Sequence, residues 1–205
     1  LNVLIQNAST VGNFDLNLVD NRNFKFFDNL NDNKFEVIYL LGSDNLDFKK
    51  KNEFIIYQGS HGDRGAEIAD IILPSPTYTE QSGLFSNLEG RVQECRKASY
   101  PIGQAKEDWK IFNLISKQIH NKNLFNSFKE VREEAIKSIK NFNGLDLLPK
   151  KMKSEFQKKN LHFEKELINI NPIDYYFSNS ISRASKTMAD CRRERNINLK
   201  EGTNN

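Results

Sequence analysis

The sequence predicts an α/β fold: a mainly parallel sheet within residues 1–118, followed by a helical, charged extension over residues 119–205. Three observations carry that reading. Apolar runs of strand length recur at 35–41, 54–58 and 68–73, with short polar connections between them. An amphipathic helical pattern follows at 103–119. Pro149 and the lysines after it then mark a boundary.

Taken in order, Phe35–Leu41 (FEVIYLL) lies between Asn33-Lys34 and Gly42-Ser43-Asp44. Its length and branching favour a buried strand over a helix. Ser43 or Asp44 is expected to cap a brief helix ending near Lys49-Lys50-Lys51. Phe54–Gln58 is the second strand, and 59–65 (GSHGDRG) a glycine-rich loop. Ile68–Leu73 is the third, stopped by Pro74 and Pro76. Strands linked through a short helix imply a βαβ unit. No GxGxxG dinucleotide signature accompanies it.

On the 103–119 helix, Trp109, Phe112, Ile115 and Ile119 share a face, with Trp109 expected in the core. Ser127, with Glu130 three residues later, predicts a capped helix to Lys140. A weaker helical pattern covers Ser154–Ile168 and ends at Pro172. Ser180 or Ser182 is expected to open a last helix through Ala184, Met188 and Cys191 toward Arg195, with a frayed end beyond.

Composition narrows the function. Hydrophobic residues are 38% and charged residues 28% of 205, with mean hydropathy −0.66, which implies a modest core and polar helices. A net charge of +3, with acids and bases interspersed, argues against a nucleic-acid partner. No run of 18 apolar residues exists, so no direct membrane span is expected. The 2 cysteines, Cys95 and Cys191, and the 3 histidines, His61, His120 and His162, share no metal-ligand spacing. The cysteines are expected as packed thiols in a reducing compartment. Asparagine, lysine, phenylalanine and isoleucine are overused, the bias of an AT-rich genome such as an organelle's. A first residue of Leu1 suggests a fragment or a processed piece of something longer.

Three polar groups invite a functional reading, each beside a plainer one. His61 and Asp63 flank Gly62 in a loop after a strand, where catalytic residues often sit, yet no nucleophile elbow accompanies them. Backbone N–H groups of the Gly42-Ser43-Asp44-Asn45 turn suit a phosphate cradle. They also suit an ordinary capped connection. Glu80, Asn87, Glu89 and Arg91, with Gly83 and Gly90, form the sharpest group. Glu89 and Arg91 on one face of an extended segment would bind a nucleotide, or pin a loop through a hydrogen-bonded network. Both alternatives stand.

Several motifs in order carry a family resemblance: YQGSHGDRG, AEIADIILP, TYTEQSG, the N-x-EGR-x-Q segment at 87–93, EDWKI and the late ISRASKTMADC. Together they resemble the molybdopterin-oxidoreductase superfamily, and within it the large iron–sulfur subunit of respiratory complex I, over about Leu1–Cys191. The resemblance implies part of a molybdopterin-oxidoreductase-like α/β domain. In catalytic members the segments matching Gly42-Ser43-Asp44-Asn45 and Asn87-x-Glu89-Gly90-Arg91 help to hold the pterin. The complex I branch keeps the fold without that cofactor, so both segments are expected as retained scaffold. No catalytic, cofactor-binding or metal residue is then assigned to this chain.

The implied function is structural: a C-terminal, cofactor-free part of the large iron–sulfur protein, supporting NADH-to-quinone electron transfer by partner chains. Iron–sulfur clusters are expected in an N-terminal part or a separate chain, as for a mitochondrially encoded split subunit. The partners implied are that cluster-bearing part and other subunits of the peripheral arm, and neither piece is expected to be stable alone. The location implied is the matrix side of the mitochondrial inner membrane, or the cytoplasmic face of a bacterial one. The competing reading is a fragment of a catalytic molybdopterin-dependent enzyme such as a formate dehydrogenase.

Overall fold

In a computed structural model, residues 7–8, 10–18, 26–44, 46, 48–148 and 174–201 are described. Two short helices, α1 (Thr10–Asp15) and α2 (Phe26–Asn31), precede three parallel strands. These are β1 (Val37–Leu41), β2 (Phe54–Gly59) and β3 (Ile71–Pro74), in that spatial order. Val37 pairs with Phe54, and Tyr39 with Ile56, which pairs in turn with Ile71.

Successive side chains of a strand alternate between faces. Ile38 and Leu40 of β1 therefore share a face with Ile55 and Tyr57 of β2, and Leu30 of α2 closes over them. Phe26, Phe35, Phe48, Ala66 and Ile68 line this core. Ile55 is wholly buried. Sequestering a side chain of that size is worth about 1.5–3 kcal/mol. The opposite face carries Val37, Tyr39, Phe54, Ile56 and Gln58.

The third strand begins at Ile71, three residues later than the apolar run suggests. Asp63 is the reason. Its carboxylate accepts the Arg64 N–H at 2.9 Å and starts a short helix, α3 (Arg64–Glu67). Ile68 and Ala69 leave that helix packed against the core instead of extended. Asp70 then anchors the strand, accepting the Ile55 N–H at 2.8 Å. No helix forms among the described residues between β1 and β2. The Asp44 carbonyl is taken by the Gly65 N–H at 3.0 Å, and its carboxylate by a distant arginine.

Residues 83–95 form an antiparallel hairpin, β4 (Gly83–Ser86) and β5 (Val92–Cys95), instead of one extended segment. Its loop is folded by Asn87, whose Oδ1 accepts the N–H groups of Glu89 at 3.0 Å and Arg91 at 2.9 Å. Gly90 supplies the positive φ of +80° that the turn requires.

Helix α4 (Asp108–His120) starts five residues after Gly103, because Lys106 N–H donates to the Pro74 carbonyl and keeps the approach off-axis. Ile111 is buried and Phe112 stacks on Tyr39 with centroids 5.8 Å apart. Trp109 is only half-buried and Ile119 is 68% exposed, so neither is core. A sheet of three strands is too narrow to cover the whole helix.

Helix α5 (Phe128–Ser138) is capped by Ser127, which accepts the Glu130 N–H at 3.3 Å. The Glu130 carboxylate reaches back to the Asn126 N–H at 2.8 Å, one residue before the cap. The Ser154–Ile168 pattern lies outside the described residues. The last helix is two, α6 (Ser180–Ala184) and α7 (Lys186–Glu201), divided at Ser185. Asn179, not a serine, is the cap of α6, in a reciprocal box with Ser182. Met188 and Cys191 are exposed on α7, and Cys95 is half-buried; both thiols are free.

Candidate functional site

Open α/β sheets receive ligands outside the carboxyl ends of their parallel strands. Here those ends are occupied by the chain itself. β1 delivers Gly42, Ser43 and Asp44, and β2 delivers Gly59 to Asp63. Between the two loops lies Arg183 of α6. Its Nη2 is 2.6 Å from Asp44 Oδ2, and its Nε donates to Asp63 Oδ2 at 2.8 Å. Nη1 points to the Phe177 carbonyl at 3.4 Å. The three side chains are 18%, 13% and 29% exposed, so the triad is largely removed from water.

Beneath the triad, Tyr57 donates its hydroxyl to the His61 carbonyl at 2.6 Å. Burial, followed by the charges of Asp44 and Asp63, pushes this phenol up to about 12. His61 Nδ1 lies 2.9 Å from Ser60 Oγ, an exposed contact between neighbours in the chain, and no carboxylate hydrogen bond to the imidazole is seen among the described residues. The pair expected to flank a catalytic loop therefore divides: Asp63 caps α3 and binds Arg183, while His61 serves mainly through its backbone.

Two clefts lie at these strand ends. One is lined by Gly42, Ser43, Asp44, Asn179 and Arg183, the other by His61, Ser75, Thr77, Glu80 and Ile181. Among the described residues, Asp44 and the already paired Arg183 are the charged ones lining the first, and Glu80 and His61 the titratable ones lining the second. Glu80 is spent on its own loop, accepting the Thr77 N–H at 3.3 Å.

A pterin dinucleotide carries phosphates, and the edge does not suit them. Two carboxylates meet a single guanidinium, leaving a net negative charge. Two of the backbone donors are committed as well: Gly42 N–H to the Gln58 carbonyl at 2.8 Å, and Gly65 N–H to the Asp44 carbonyl. Gly42 adopts a φ of +63°, and Asn45 lies outside the described residues. Arg91, in the other segment expected as retained scaffold, sits in the loop between β4 and β5, with a buried Nε that has no hydrogen-bond partner among the described residues. Glu89 is exposed there. The group Glu80, Asn87, Glu89 and Arg91 is thus not one site. Among the described residues no cluster of three or more His, Cys, Asp or Glu side chains is placed to hold a metal.

A second polar network was not foreseen. Gln58, fully buried on β2, accepts from the Tyr39 hydroxyl and donates to Asp108 Oδ1 at 2.6 Å. Asp108 Oδ2 accepts from Gln81 Nε2 at 3.0 Å. Burial and the Asp108 charge raise the Tyr39 phenol. Next to it, Glu107 accepts from Lys97 and from Trp109 Nε1, both at 2.9 Å, and pairs with Lys110 at 3.3 Å. These residues rivet the TYTEQSG segment and α4 to the sheet. Nothing in one strand or helix announces them, because each partner comes from a different element.

The sequence pattern of the molybdopterin oxidoreductase family matches residues 1–118, and that of the C-terminal part of the NADH-ubiquinone oxidoreductase G subunit matches 147–191. The chain is similar to the NADH-quinone oxidoreductase G subunit of Rickettsia conorii, with 41% identity over 191 residues and 93% of this chain covered. It is also similar to the NADH-ubiquinone oxidoreductase 75 kDa subunit of Reclinomonas americana, at 35% identity over 204 residues. The mitochondrial 78 kDa subunit of Candida albicans is 40% identical over 177 residues, with 77% of this chain covered. These alignments take in 27%, 28% and 24% of the relatives, so the chain spans about a quarter of their length. Asp44 and Asp63 fall in the first family match and Arg183 in the second.

Proposed function

Because the chain belongs to the molybdopterin oxidoreductase family, we propose that it serves as a structural, cofactor-free part of the large iron–sulfur subunit of respiratory complex I. In this reading it supports NADH-to-quinone electron transfer that partner chains carry out. Its place is the peripheral arm, on the matrix side of the mitochondrial inner membrane, beside the cluster-bearing portion of the subunit. The similarity to the bacterial G subunits and to the 75 and 78 kDa subunits supports the assignment to complex I.

The observation that carries the structural reading is the position of Arg183. A cofactor-binding member of this fold needs its strand ends open and electropositive. This chain instead seats its own C-terminal helix there and neutralises the guanidinium with Asp44 and Asp63. No helix among the described residues is long and apolar enough to cross a membrane, which fits a peripheral place.

Native-gel separation of the source membranes, with an NADH-oxidation stain, mass spectrometry and metal analysis of the bands, tests the proposal. The chain is expected in the large NADH-oxidising band, without molybdenum or tungsten in stoichiometric amount. Its presence in a smaller band that carries molybdenum would favour the catalytic, formate-dehydrogenase-like reading instead.

A further inference from the structure

Parallel sheets are normally covered on both faces, because each crossover lays a helix against them. One face of this sheet carries the Leu30–Ile55 core over β1 and β2, with Ile72 at its β3 edge 54% exposed. On the other, the contacts among the described residues lie in its carboxyl half, where Phe112 stacks on Tyr39 and Asp108 holds Gln58. On that face the first residue of each strand stays exposed. Val37 is 56% exposed, Phe54 42% and Ile71 44%.

These are not scattered surface residues. Val37 and Phe54 are register partners, and Ile71 pairs with Ile56, the next residue of β2 on the same face. They form one strip across all three strands. A single exposed hydrophobe needs no explanation, whereas a registered strip on an all-parallel sheet marks a face built to be covered.

We propose that this strip is the docking surface for the remainder of the family's longer polypeptide, which presents an apolar helix face to Val37, Phe54 and Ile71. The occupant is argued from length. Relatives similar over 93% of this chain are more than three times as long, since the match takes in 27% of them. The material to complete a two-faced sheet is therefore in the same subunit. A strip of apolar side chains also suits a permanent layer of one domain better than a transient contact, whose surface is more polar. The inference rests on family membership and not on the absence of a cofactor.

The test places a photoreactive benzoylphenylalanine at Phe54 in the native assembly, and sequences the cross-linked peptides after irradiation. Cross-links to the part of the relatives' sequence that this chain does not match are the expected result. Cross-links to a second copy, to an unrelated subunit, or to nothing would overturn the proposal. If the bulkier residue blocks assembly, Val37→Cys replaces it. Its thiol should label with maleimide at least about tenfold more slowly in the assembly than after denaturation, and equal rates would count against the proposal. The partner is read by its sequence whatever the assembly oxidises. A molybdenum-bearing assembly with the expected cross-link would thus sink the complex I reading and leave this surface standing.

Discussion

Arg183 Nε lies 2.8 Å from Asp63 Oδ2, although 120 residues of chain separate them. The same guanidinium reaches Asp44 at 2.6 Å. One side chain of the C-terminal extension therefore fastens two loops that follow different strands. An arginine suits this because its planar fork donates in several fixed directions at once, which a lysine ammonium does not reproduce.

Arg183→Ala should loosen the extension more than the sheet. It leaves two largely buried carboxylates without their cation, a loss of about 1–3 kcal/mol. Limited proteolysis of the assembly should reveal new cleavage between residues 174 and 201, with cleavage of the sheet strands little changed. Arg183→Lys should fall between the wild type and alanine. Wild-type resistance in the alanine variant would remove the triad from the account of how the extension is held.

Tyr57 predicts an alkaline limit. Its folded phenol is raised from 10 to about 12, chiefly by burial and then by Asp44 and Asp63. A raised value favours the protonated form in the fold, so this contribution is complete below pH 10 and is lost as pH climbs toward 12. Absorbance at tyrosinate wavelengths should show one phenol titrating with unfolding. Tyr57→Phe should remove that component and lower stability at neutral pH by about 0.5–1.5 kcal/mol, the worth of the bond to the His61 carbonyl.

The strands were legible because apolar runs of five to seven residues carry their own signal, and the Ser127 cap because its spacing is local. The hairpin had a local signal too: Asn87 and Gly90 bracket a tight loop between two short runs. Reading Glu89 and Arg91 as one extended face overlooked the turn. Trp109 and Ile119 looked like core because a helical wheel assumes a neighbour along the whole helix, and the sheet ends before α4 does. Arg183 had no such signal. Its meaning depends on Asp44 and Asp63, and neither the helix expected to open at Ser180 or Ser182 nor the resemblance of the ISRAS segment to a known family singled it out.

Glu107 supplies an acid-side counterpart. Burial alone would raise its carboxyl, but hydrogen bonds from Lys97, Trp109 and Lys110 outweigh that and hold it below 4.5. A depressed value means that its contribution is present above pH 4.5 and is lost as pH falls through the folded value. Trp109 is the sole tryptophan of the chain and donates to this carboxylate, so its fluorescence reports the event directly. Emission should change below pH 4.5. Glu107→Gln should abolish that step and keep the indole hydrogen bond. An unchanged titration in the variant would assign the signal to global acid unfolding.

Gly65 makes the last prediction, and it tests whether the strand-end loops act as a unit. Its N–H donates to the Asp44 carbonyl at 3.0 Å, which brings the two loops into backbone contact. A Cβ built there would stand 2.8 Å from the Ser43 carbonyl oxygen and 3.1 Å from the Tyr57 ring. The nearest obstacle is backbone, so it cannot swing aside as a side chain would. Gly65→Ala should cost about 1–3 kcal/mol, the usual range for overpacking. The displaced Ser43-Asp44 loop should also draw Asp44 away from Arg183, so the variant should share the new cleavage between 174 and 201 expected of Arg183→Ala. Gly42→Ala gives the contrast. Its Cβ meets nothing within 4 Å, and the cost comes only from a φ of +63°, about 1–2 kcal/mol. That change should lower stability while leaving the extension protected. Equal cleavage patterns in the two glycine variants would mean that the loops respond to lost stability in general, and that their contact does not position the triad.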